Sequence, residues 1–154
     1  MDLILLKRNK FLVFICLSII GACTSQDSDN KSFQITPDRE VDMTAKASDN
    51  NVYGFAYFQS KIDSALYLKW EIAAKDIPVE WGVVFCDNVA CFLDMPDQNK
   101  LDVIRKSDKE DDNLMRLMIE PFGKKGEGFI KLCIYENKNS WIQTDSIIYR
   151  IIIN

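Results

Sequence analysis

Short runs in which apolar and polar residues alternate constrain this chain most. In residues 66–72, Leu66, Leu68, Trp70 and Ile72 point one way, and Tyr67, Lys69 and Glu71 the other. In 115–119, Met115, Leu117 and Ile119 oppose Arg116 and Met118. In 130–134, Ile130, Leu132 and Ile134 oppose Lys131 and Cys133. In 147–153, Ile147, Tyr149, Ile151 and Ile153 oppose Ile148, Arg150 and Ile152. A period of two is the signature of a strand with one face in a core. No long segment sustains the 3.6-residue apolar period of a helix.

Further strands are expected at 33–36, 40–44, 52–59, 81–86 and 101–104. Turn-forming stretches separate the runs, at 48–51, 76–78, 94–99, 107–113, 123–128 and 137–139. The count is about seven to nine antiparallel strands, which suits an all-β, immunoglobulin-like sandwich. With 47% hydrophobic and 27% charged residues, the chain can bury a core and is not disordered as a whole. No internal repeat suggests a propeller or solenoid.

The chain contains no histidine. That excludes a Ser-His-Asp triad, a Cys-His pair and imidazole metal sites. No glycine-rich phosphate loop is present either. The expectation is a non-enzymatic protein without cofactor or metal.

The N-terminus reads as an address. Lys7, Arg8 and Lys10 are followed by a stretch at 11–20 that is apolar except for Ser18, then by small Gly21 and Ala22. The stretch is too short to span a bilayer, so residues 1–22 read as a signal peptide. Ile20-Gly21-Ala22-Cys23 resembles the bacterial lipobox. That resemblance implies acylation of Cys23 and membrane anchoring through its acyl chains. Residues 23–32 then form a polar tether, and 33–154 the β-sandwich domain. Asp27 and Asp29 resemble the acidic export signals of Bacteroidota surface lipoproteins. The implied location is the cell envelope, at the outer membrane, on its periplasmic side or at the surface. Removal of 1–22, which carries Lys7, Arg8 and Lys10 against Asp2, takes the net charge from −4 to −6. An acidic domain without a basic cluster argues against nucleic acid as a partner.

Cys86, Cys91 and Cys133 remain within the domain. Three pairings are open; the expected one joins Cys86 to Cys91 across the turn-forming Asp87-Asn88-Val89-Ala90. A C-x4-C metal site would need two further ligands. Cys133 is expected to be a partly buried thiol acting as a small hydrophobe, with intermolecular pairing or reactivity as the alternative.

Several of these residues also form a recurrent pattern. Trp70-Glu71, Ile77-Pro78-Val79-Glu80-Trp81 and Phe85-Cys86-Asp87-Asn88-Val89-Ala90-Cys91 resemble a W…PxxW…CDNxxC domain of secreted Bacteroidota proteins. Glu120-Pro121-Phe122, Gly126-Glu127-Gly128 and the run 129–135 are similar to its closing half. The resemblance implies an immunoglobulin-like sandwich with a short cysteine loop, and implies no activity.

Aromatic residues are the first binding candidates. Tyr53, Phe55 and Tyr57 share one face of a strand, opposite Val52, Gly54, Ala56 and Phe58. Exposed, they could stack on sugars or anchor a protein partner, but aromatics normally sit in cores, so burial is the expected state. Trp141, after a turn, is a second exposed anchor, and Trp81 is expected to pack beside the cysteine loop. Asp108, Glu110, Asp111 and Asp112 crowd one loop, where calcium is weighed against a solvated turn and the turn is favoured. Asp87 with Asn88, or Asp94 with Asp97, could stand as paired side chains for glycoside hydrolysis, but no spacing argument joins them.

Overall fold

In a computed structural model of the chain, residues 31–138 and 140–154 are described. The expected signal peptide, 1–22, the expected lipidation residue Cys23 and most of the expected tether lie outside the described residues. Ten strands are present: β1 (Phe33–Thr36), β2 (Glu40–Ala45), β3 (Val52–Ser60), β4 (Leu68–Asp76), β5 (Gly82–Cys86), β6 (Cys91–Phe92), β7 (Gln98–Lys100), β8 (Leu114–Glu120), β9 (Gly126–Asn137) and β10 (Trp141–Ile153). A short 3-10 helix, Glu110–Asn113, precedes β8.

The strands form two five-stranded sheets. The first has the order β1-β3-β8-β5-β6 and the second β2-β10-β9-β4-β7. The chain changes sheets around Pro37. β1 pairs antiparallel with β3, whereas β2 runs parallel to β10. The expectation of an all-antiparallel fold is corrected at that pair.

The count of ten replaces seven to nine because β6 and β7 are only two and three residues long. Gln98-Asn99-Lys100 has no apolar residue, and its first two residues fall in the stretch 94–99 that reads as turn. It is a strand because its backbone pairs with Lys69–Glu71 of β4. The strand expected at 101–104 does not form. Leu101 and Ile104 are buried three residues apart, and the backbone there makes one isolated bridge, Leu66 to Ile104.

The core lies between the sheets and uses the predicted faces. Met115, Leu117, Ile119, Ile130, Leu132, Ile134, Ile147, Tyr149 and Ile151 are all buried. Trp70 meets Phe85 edge-on at 5.0 Å, and Phe85 meets Tyr149 at 6.4 Å, which links the two sheets through aromatic contacts. Burying each such side chain contributes roughly 2–3 kcal/mol. Gly54 allows the sheets to approach: a Cβ there would sit 2.7 Å from Met43 Sδ and 3.0 Å from Tyr149 Cδ1.

Candidate functional site

The cysteine loop is tied to its neighbours by side-chain hydrogen bonds. Cys86 and Cys91 are directly opposed on β5 and β6 and form a disulfide. Between them, the buried Asp87 carboxylate accepts four hydrogen bonds. Oδ1 takes the backbone N–H groups of Val89 and Ala90 at 2.9 and 3.0 Å. Oδ2 takes Trp70 Nε1 at 2.9 Å and Asn99 Nδ2 at 3.0 Å. Its accepting capacity is thus directed at holding the loop to β4 and β7. Asn88 is likewise occupied, its Oδ1 accepting the Asp102 backbone N–H at 3.0 Å.

The outer face of the first sheet is different. Strand alternation sends Val52, Ala56 and Phe58 into the core and leaves Tyr53 and Phe55 exposed, at 44% and 37%, with Tyr57 half-buried. This corrects the expected burial of the row. Tyr53 and Phe55 are stacked, with ring centroids 6.1 Å apart. Met118, Arg116 and Leu114 of β8 stand opposite Tyr53, Phe55 and Tyr57. Val84 and Cys86 of β5 stand opposite Met118 and Arg116. Arg116 extends its Nη2 to within 3.2 Å of Cys86 Sγ. Among the described residues, no carboxylate lies within ion-pair distance of its guanidinium.

Trp141 lies on the other side of the molecule, on the outer face of the second sheet, and is half-buried rather than fully exposed. The structure therefore joins Tyr53 and Tyr57 on one face and separates Trp141 from them. Lys69 Nζ lies 4.7 Å above the Tyr135 ring and 5.7 Å from that of Trp141; Lys100 Nζ is 5.8 Å from Trp141. Glu71 binds Lys69 at 2.7 Å. That hydrogen bond holds the Glu71 carboxyl below the usual carboxylate range, and burial raises the Tyr135 phenol, with a further contribution from Glu71. A shallow cavity of about 270 Å³ opens here, lined by Lys69, Gln98, Asn99, Lys100 and Trp141. Sequence reasoning missed Lys69, Lys100 and Tyr135. The outward phase of 66–72 marks Lys69, but Lys100 adjoins a stretch that reads as a turn.

Other candidates take structural places. Trp81 does not pack beside the cysteine loop. It closes the β8–β9 turn, donating to the Lys124 carbonyl at 3.1 Å and lying 3.3 Å from a Cβ built on Gly126. In the acidic loop, Asp108 accepts from the Arg105 N–H, Asp112 from the Lys109 N–H and Glu110 from Thr36 Oγ1. Among the described residues, no three acidic or cysteine side chains converge as a metal site. Asp94 and Asp97 are exposed. Cys133, on β9, is buried and disulfide-bonded, which corrects the expected thiol.

No protein-family model and no curated protein matches the chain. Solved structures match in fold. The N-terminal domain of PorA superposes with a TM-score of 0.51 at 10% identity, over 75% of this chain and 87% of that one. WR4, a C. elegans MSP family member, gives 0.45 at 14% identity, over 80% and 99%. A protein of unknown function from Porphyromonas gingivalis W83 gives 0.43 at 10% identity, over 80% and 48%. At these identities the likeness concerns the β-sandwich alone, and the PorA domain carries it.

Proposed function

We propose that this chain is a lipid-anchored cell-envelope protein whose sandwich binds a protein partner through the outer face of its first sheet. One observation carries the binding role: the exposed Tyr53–Phe55 stack beside Met118, Leu114 and the carboxylate-free Arg116. Tyr, Phe, Met and Arg are the residue types enriched where protein interfaces concentrate their energy. A catalytic role has little to build on. The Asp87 carboxylate is fully engaged in the loop, and the chain has no histidine base.

The anchor is read from the basic residues, the apolar stretch and Ile20-Gly21-Ala22-Cys23. The span from Cys23 to Lys31 reaches at most roughly 27 Å when extended, which would hold the domain close to the membrane. The immunoglobulin-like description is supported by strand order. β1-β3-β8-β5 follows A-B-E-D and β10-β9-β4 follows G-F-C, with Trp70 on the strand equivalent to C. β3 has no cysteine, so the inter-sheet bridge of antibody domains has no counterpart there.

Photo-crosslinking in intact cells tests the binding face. A crosslinker at Tyr53 or Tyr57 is expected to give one discrete protein adduct in the envelope fraction. The same crosslinker at Lys131, on the outer face of the second sheet, is expected to give none. Adducts of equal yield from both faces, or none from either, would overturn the assignment. A saccharide is the second reading, favoured specifically by the aromatic and lysine groups around Trp141.

A further inference from the structure

We infer that the Trp141 corner of the second sheet is a binding site for a carboxylate-bearing sugar, such as a uronic acid residue of a glycan. It deepens the saccharide reading and is independent of the protein-binding face.

Lys69 and Lys100 are direct cross-strand partners on β4 and β7, both on the outer face. Like charges placed opposite each other destabilise a sheet. Glu71 answers only Lys69. Among the described residues, Lys100 has no carboxylate within ion-pair distance. The chain is acidic overall, with a net charge of −4, yet here it gathers two cations over one indole. The pair and the ring line the same cavity of about 270 Å³.

The chemistry of this arrangement selects its ligand. Both ammoniums stand over the half-buried ring, so the part of the indole that lines the cavity is the apolar contact left for the C–H face of a pyranose. One unanswered ammonium beside it calls for a single negative charge. Glu71 would repel a carboxylate set next to it, so the ligand's carboxylate belongs on the Lys100 side. Gln98, which lines the cavity, then faces the sugar hydroxyls with its side-chain amide. A nucleic acid or an anionic bilayer would engage many cations, whereas this site supplies two and balances one of them.

The test uses the full chain purified in detergent and titrated calorimetrically with oligogalacturonate, oligoglucuronate and polysialic acid. At least one is expected to bind, with affinity that weakens as salt is raised. Its methyl-esterified or carboxyl-reduced form is expected to bind about tenfold more weakly, as is Lys100→Met, since each removes a charge-assisted contact. Trp141→Ala is expected to abolish binding, and Lys106→Met, at an exposed lysine outside this cavity, to leave it unchanged. Lys100→Met replaces one side chain at an exposed strand residue and is expected to fold normally by circular dichroism, so it decides the matter if Trp141→Ala does not fold. No binding by any of the three probes, equal binding of the neutral forms, or binding of anionic vesicles in place of the sugars would each overturn the proposal. None of these results would bear on crosslinking at Tyr53.

Discussion

Asp87 shows how much one residue can hold together. Its two oxygens divide four N–H donors between the loop backbone and the pair Trp70 and Asn99. Asp87→Asn would keep the shape but turn one oxygen into an NH₂ group. Whichever way the amide points, two donors would face another donor. Urea unfolding should therefore show a loss of about 2 kcal/mol, with the midpoint lowered and the slope unchanged. A second prediction concerns pH. Lys69 holds the Glu71 carboxyl below the usual carboxylate range, so its contribution is present above the unfolded pKa and lost as pH falls through the folded value. The Glu71 side chain is 34% exposed, so the effect on stability is small and is better read by NMR titration. Lys69→Met should move the Glu71 midpoint upward. The turn propensity of Asp87 was legible in the sequence, but its bonds to Trp70 and Asn99 were not, because they join segments that only the folded sheets bring together.

At the scale of elements, period-two alternation located the long strands and their buried faces, because one face of each is covered by the opposite sheet. It failed where backbone pairing alone makes the strand, as in β7. It also could not say whether the aromatic row of β3 is covered, since alternation separates two faces without naming the one in the core. Here Gly54 and Ala56 lie inside, and the larger Tyr53 and Phe55 outside, against the usual ordering by hydrophobicity. The irregularity of β10 between Gln143 and Asp145 was equally hidden. Asp145 is fully buried and pairs with Lys31 at 2.7 Å and Arg39 at 3.1 Å. The Lys31 side chain is 3% exposed, so removing its partner strands a buried charge. Asp145→Asn should cost about 3 kcal/mol in chemical denaturation, and the double change with Lys31→Met should cost less than the single one.

For the whole molecule, the decisive relation is between the proposed tether and the sandwich. Lys31 and Ser32 lead into β1, and the Ser32 carbonyl accepts from the Lys61 N–H at 2.7 Å. The proposed anchor makes a prediction at this scale. Cys23→Ala should move the protein from the membrane pellet to the soluble fraction, or leave it unprocessed. With Cys86 and Cys91 joined to each other, Cys16 and Cys23 are the cysteines left in the chain that could bridge Cys133. Removal of 1–22 and a thioether to lipid on Cys23 would leave neither, so the anchor requires Cys133 to pair with another molecule. Mass spectrometry that found Cys133 bridged to Cys16 or Cys23 would overturn the anchor, as would an unchanged membrane fraction.

The Lys31–Asp145 pair also has a mechanical consequence. β1 meets β3 through four successive residue pairs, from Phe33–Ser60 to Thr36–Tyr57. Its entry point is pinned to β10, a strand of the other sheet. A tug on the tether along the axis of β1 would therefore load that ladder in shear and strain the ion pair at the same moment. The bonds would share the force instead of opening one after another, and the load would pass into both sheets together.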